Sequence, residues 1–172
     1  MKLYHGSNVA INKIDLAKSK PNKDFGKGFY LSDNENQALE MAKFKTLTLG
    51  GEPIVSIFEF DENILSNKIL SVKIFKEYSE EWADFVFANR DGLENVDKYD
   101  IVYGPIANDK VGIQIRKLKD GNIDKVEFLN RLKYMEGITF QYFFGTEKAI
   151  KYLTKIWATK ILNIWKKQWL QT

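Results

Sequence analysis

Phe25-Gly26-Lys27-Gly28-Phe29-Tyr30-Leu31-Ser32-Asp33 changes character within a few residues. Its first half closes a tract, residues 17–28, that is too rich in Gly, Pro, Asn and Lys to be a regular element and reads as a loop. Phe29-Tyr30-Leu31 is aromatic and apolar and reads as a strand. Ser32 or Asp33 then offers an N-cap oxygen for a helix through about residue 45, with Ala38, Leu39, Met41, Ala42 and Phe44 at its apolar positions. Upstream, Lys2 to His5 alternates polar with apolar and reads as a short strand. Gly6-Ser7-Asn8 ends it, leaving His5 at the strand's end.

Downstream, Ile54 to Phe60 and Ile69 to Ile74 read as strands, and Tyr78 to Asn89 as an amphipathic helix that buries Trp82, Phe85 and Val86. Ile101-Val102-Tyr103 is a strand stopped by Gly104-Pro105. A helix over Asp124 to Met135 ends at Gly137, a strand covers Ile138 to Phe144, and Thr146 caps a last helix running toward Gln168. Strands and helices mix without regular βαβ alternation, which predicts an α+β domain.

The 172 residues suit one domain with a single core. With 44% apolar and 28% charged residues the chain has the balance of a soluble globular protein. No run approaches the ~18 apolar residues of a spanning helix, so no transmembrane segment is expected. Met1-Lys2-Leu3-Tyr4-His5 lacks the apolar run of a signal peptide. The absence of cysteine excludes disulfides, a thiolate nucleophile and thiolate metal sites, and a cytoplasmic setting is expected. One histidine and scattered carboxylates make no metal ligand set. The net charge of +3 hides six lysines and no acid after residue 147, which leaves about −3 on the rest of the chain.

Three features are candidates for chemistry: the only histidine, His5, beside a Gly-Ser turn; the Gly26-Lys27-Gly28 tract; and Tyr30 on the strand that follows. Taken one at a time, each is as well explained by packing.

Their order along the chain resembles the ADP-ribosyltransferase superfamily of the His-Tyr-Glu, PARP and diphtheria-toxin-like type. Leu3-Tyr4-His5-Gly6-Ser7 resembles the first strand motif Leu-Trp-His-Gly-Ser of those enzymes, and residues 25–33 resemble Phe-Gly-Lys-Gly-Ile-Tyr-Phe-Ala-Asp. Gln141-Tyr142-Phe143-Phe144 is similar to the strand that carries their catalytic glutamate, Glu-Tyr-Ile-Val. The chain as far as about residue 155 also resembles a small bacterial single-domain family of uncharacterised function in that superfamily.

The resemblance implies a split, mixed/antiparallel sheet core flanked by helices. With the expected last helix, the domain covers 1–157 and a basic, Trp-rich helical extension covers 158–172. It also implies NAD as a substrate. His5 would bond a ribose hydroxyl, Gly6 and Ser7 the carboxamide, and Tyr30 would stack on the nicotinamide ring. Gly26 and Gly28 would let the loop bend over the ligand, and Lys20 or Lys27 would meet the pyrophosphate. The implied reaction is transfer of ADP-ribose to an intracellular macromolecule, protein or nucleic acid, in a toxin or effector held by a cognate antitoxin.

Two departures stand out. The glutamate position holds Gln141, which keeps the hydrogen-bonding shape but has no charge and cannot act as a base. Losing one electrostatic stabiliser costs on the order of 10²–10³ in rate. Glu147 is the alternative carboxylate, although an acid at a helix start is favoured by the helix dipole alone. The second departure is on the next helix, where Ala38 and Met41 stand in place of the family's carboxamide serine and second tyrosine. A catalytically weak or inactive NAD or ADP-ribose binding module is therefore a competing expectation. The Trp/Lys-rich tail suggests contact with a partner protein such as an antitoxin, a second copy of the chain or an anionic membrane surface, or binding to nucleic acid.

Overall fold

The computed structural model describes residues 1–160 apart from 95, 97 and 136. It is an α+β fold built on two sheets. The first has the order β1 (Lys2–Ser7), β3 (Ile54–Phe60), β7 (Leu153–Lys160), and both pairings are antiparallel. The second has the order β2 (Phe29–Leu31), β6 (Phe140–Phe144), β5 (Ile101–Pro105), β4 (Val72–Ile74), with only the β4–β5 pair parallel. Among the described residues a single bridge joins the sheets: Tyr4 N donates to Ser32 O at 2.7 Å, and Ser32 N donates back to Tyr4 O at 2.9 Å. Helices α1 (Glu35–Leu49), α2 (Glu80–Arg90), α3 (Asp109–Lys119), α4 (Lys125–Lys133) and α5 (Glu147–Ile150) flank them.

Side-chain alternation divides the core. Leu3, Phe58 and Phe60 from the first sheet pack against Leu31, Ile101, Tyr142 and Phe144 from the second. The opposite face of the second sheet, with Val102 and Phe143, packs against Phe25, Trp82, Val86, Val111 and Phe128. Strand β6 is thus covered on both faces, which accounts for its nearly continuous apolar run. Against the outer face of the first sheet, Ala38 and Ala42 of α1 close onto Val55.

Four readings of local structure need correction. Strand β1 continues through Gly6 and Ser7, which pair with Val55 and Ile54, so His5 lies within the strand rather than at its end. The cap of α1 is Asn34, whose side chain accepts from Gln37 N at 3.3 Å, while Ser32 Oγ accepts from Asn34 N at 2.9 Å. The expected last helix stops at Ile150, and the chain then runs as β7 along the full length of β3, with a register shift between Ile57 and Phe58. Pairing to the open side of β3 satisfies a row of backbone groups that a helix here would leave unpaired. β7 crosses the expected boundary at 157/158, and the rest of the expected extension lies outside the described residues. The fourth difference is α3, which the sequence reading did not expect; Asn108 caps it by accepting from Val111 N at 3.1 Å.

Candidate functional site

The bridge between the sheets brings β1 and β2 side by side. His5 Nδ1 stands 2.7 Å from the carbonyl oxygen of Tyr30. A carbonyl can only accept, so Nδ1 carries the proton and Nε2 keeps its lone pair. Burial, then the charge of Lys45 and, less strongly, of Lys23, hold the His5 pKa down to about 3 against the opposing pull of the Tyr30 carbonyl. The ring is therefore neutral through the physiological range, in one tautomer, stacked on Phe29 at 4.4 Å between centroids.

The Tyr30 ring packs on Phe143 at 5.2 Å and Phe25 at 6.4 Å. Its hydroxyl donates to Gly26 O at 2.7 Å and accepts from Phe25 N at 3.1 Å, tying the glycine-rich loop to the strand that follows it. Burial raises its pKa, so the hydroxyl stays protonated. Lys23 Nζ sits 4.8 Å from the ring centroid, a distance suited to a cation–π contact.

The glycines have packing duties. Gly26 has a φ of +89°, open to glycine without strain. A Cβ on Gly28 would lie 2.2 Å from the Phe143 ring, so the loop is laid directly on β6. Ser19 Oγ fixes it there, donating to Gly28 O at 2.7 Å and accepting from Gly28 N at 3.1 Å. A Cβ on Gly6 would lie 1.9 Å from Ala38 O and 2.8 Å from Ala42 N: the missing side chain lets the backbone of α1 approach. The Gly6 carbonyl accepts from Lys45 Nζ at 2.8 Å, and burial followed by Lys23 lowers the Lys45 pKa to about 8. Ser7 is buried in β1.

Gln141 is buried on β6, on the same face as Phe143. Its Nε2 donates to Asp24 Oδ2 at 3.0 Å, and the same oxygen accepts from Ala107 N at 3.0 Å. Asp24 Oδ1 accepts from Arg90 Nε at 2.9 Å and lies 2.6 Å from Nη2. Arg90 Nη2 in turn donates to Ala107 O at 2.9 Å. Among the described residues Asp24 is the one buried carboxylate, and each of its oxygens meets two donors.

His5, Gly6 and Tyr30 therefore meet at the seam, and Gln141 is tied to the same loop through Asp24. Glu147 does not join them. It is exposed in the first turn of α5, where Thr146 Oγ1 accepts from Ala149 N at 3.1 Å, and no described hydrogen bond or ion pair links it to His5, Tyr30 or Gln141. Met41 is about half exposed, while Ala38 is buried beneath Gly6. Lys20 and Lys27 are exposed on the loop. The residues that sequence reasoning missed are Asp24, Arg90, Lys23 and Lys45; a carboxylate and a lysine directly before the quoted Phe25-Gly26 tract were the available signal. The described residues contain no group of three or more His, Asp or Glu able to hold a metal, and no helix long and apolar enough to cross a membrane.

Residues 1–154 match the model of a family described as a protein of unknown function, DUF3990. No curated protein and no solved structure matches the chain.

Proposed function

We propose that this chain, which belongs to the DUF3990 family, binds NAD as a substrate at the seam of its sheets and transfers ADP-ribose to an intracellular macromolecule. The observation that carries this reading is the meeting of two stretches far apart in sequence: the Tyr4–Ser32 bridge and the His5 Nδ1–H bond to the Tyr30 carbonyl. These contacts set an imidazole acceptor, the Gly6 backbone and an aromatic ring beside one another.

In such a reaction the bond between ribose C1′ and the nicotinamide nitrogen breaks, and its electron pair leaves with nicotinamide. The acceptor's nucleophile bonds C1′ and gives its proton to solvent. His5 Nε2, as a fixed acceptor, orients a ribose hydroxyl. The positive charge developing at the ribose is best met by negative charge. Gln141 contributes only an amide dipole, and the Asp24 charge behind it is matched by Arg90.

That arrangement favours a second reading, in which NAD or ADP-ribose is bound without turnover. Labelled NAD, incubated with the protein in the presence and absence of cell extract, separates the two. Release of nicotinamide that disappears in His5→Ala and Tyr30→Ala supports transfer, whereas saturable binding with no nicotinamide released supports the binding module. The first reading fails if NAD does not bind, and both fail if neither NAD nor ADP-ribose binds.

A further inference from the structure

Most lysines in ion pairs on this surface sit on carboxylates of neighbouring elements: Lys73 on Glu81, Lys119 on Asp91, Lys125 on Glu80 and Asp84. The two lysines at the seam do not. Lys23 Nζ touches the Ser19 hydroxyl at 3.3 Å and the Tyr30 ring; Lys45 Nζ touches the Gly6 carbonyl. Among the described residues neither has a carboxylate within ion-pair distance.

The groups they contact are neutral, and so is His5, which feels both charges. Lys45 feels the charge of Lys23, and Lys23 that of Lys20. The carboxylate of Asp24 is already committed to Arg90, Ala107 and Gln141.

Two ammonium groups held partly out of water and within range of one another are costly unless an opposite charge meets them. The described residues supply none here. An anion is attracted to them. His5 Nε2, by contrast, accepts a proton and so calls for a hydroxyl on the same ligand.

We infer that Lys23 and Lys45 form a phosphate-binding site at the His5/Tyr30 seam, and that its ligand is a sugar phosphate whose hydroxyl bonds His5 Nε2, either free or as part of a nucleotide. This site does not depend on NAD being a substrate.

The test is calorimetric titration of the full chain, at fixed ionic strength, with ribose 5-phosphate, ADP-ribose, NAD and adenosine. Saturable binding of a phosphate ligand is expected, with none for adenosine. Equal affinity for ribose 5-phosphate and ADP-ribose identifies the free sugar phosphate as sufficient, and binding of ADP-ribose alone identifies a nucleotide. Lys23→Met and Lys45→Met should each weaken binding about tenfold or more, an effect of losing one charge-assisted contact. Lys133→Met, exposed at the end of α4, should leave it within about twofold.

Melting curves without ligand establish that each variant is folded, and the wild-type titration carries the test where one is not. Absence of saturable binding by every phosphate ligand overturns the site, as do Met variants that bind like the wild type. NAD that binds with no dependence on either lysine overturns the site and leaves the NAD reading standing. A phosphate ligand that binds where NAD does not has the reverse effect.

Discussion

Gln141 and Asp24, 117 positions apart, share a 3.0 Å hydrogen bond in which the amide donates and the carboxylate accepts. Position 141 is thereby matched to its neighbour as an amide. A glutamate there would set a second carboxylate against the first, so the glutamine is read more naturally as one half of a pair than as a worn-down catalytic acid.

Gln141→Glu is expected to lower stability without raising the rate of nicotinamide release above that of the wild type. Two carboxylates about 3 Å apart push one pKa upward. A carboxyl whose folded pKa is raised loses stability as pH climbs from the unfolded value, near 4.3, through the raised one. The deficit in Tm against wild type should therefore be larger at pH 7.5 than at pH 4.5. An equal deficit at both, or a gain in nicotinamide release, counts against the pairing.

Removing one partner of the Asp24–Arg90 ion pair should cost about 2–4 kcal/mol. That is below the roughly 3–5 kcal/mol of a fully buried pair, because the Arg90 side chain keeps 29% of its surface exposed. Denaturant unfolding of Asp24→Asn, Arg90→Met and the double variant checks this. The double variant should lose clearly less than the sum of the singles, as coupled neighbours do.

His5 should resist protonation. Nitrogen-detected NMR is expected to show the Nδ1–H tautomer unchanged from pH 8 to about pH 5. The pKa lies far below that of an unfolded histidine, so the His5 contribution to stability is complete above about pH 6.5 and is lost as the pH falls toward 3. A titration centred near 6.5 would mean that the ring is neither buried nor faced by the Lys45 charge.

Tyr30→Phe keeps the ring and removes the hydroxyl that holds Gly26 O and Phe25 N. The expected cost is about 1–2 kcal/mol, with faster hydrogen exchange at the Phe25 amide. Ligand binding that survives in Tyr30→Phe but is lost in Tyr30→Ala assigns the ring, not the hydroxyl, to the ligand.

The sequence disclosed what is local. Ile54–Phe60 is a short apolar run compact enough to be read at its own boundaries, and Phe29–Leu31 stands out between a glycine-rich loop and a helix. The α+β class follows from such elements. Leu153–Lys160 was misread because its apolar residues were credited to a helix although they kept to no single stripe; the partner that makes it a strand lies about a hundred residues upstream. α3 was missed although Val111, Ile115 and Leu118 carry helical spacing, with Gly112 breaking the pattern between them.

At the site, His5, Gly6 and Tyr30 were visible because each belongs to a contiguous motif. Their surroundings were not. Asp24 bonds residues 66 and 117 positions away, and Lys45 reaches Gly6 across 39 positions. Nothing in the spacing of a single chain announces such contacts; they exist only once the loop of residues 19–28 is laid over β6.

The position of β3, flanked by β1 and β7, bears on how the protein can be shortened. The family match ends at residue 154, but Lys155 to Lys160 still pair with Phe58 back to Ile54. A chain cut at 154 would bare that length of strand, leaving amides and carbonyls free to template a strand from another molecule. Trimming to the matched length should therefore yield oligomers or aggregates by light scattering, where a chain retaining Lys160 keeps its edge covered from within.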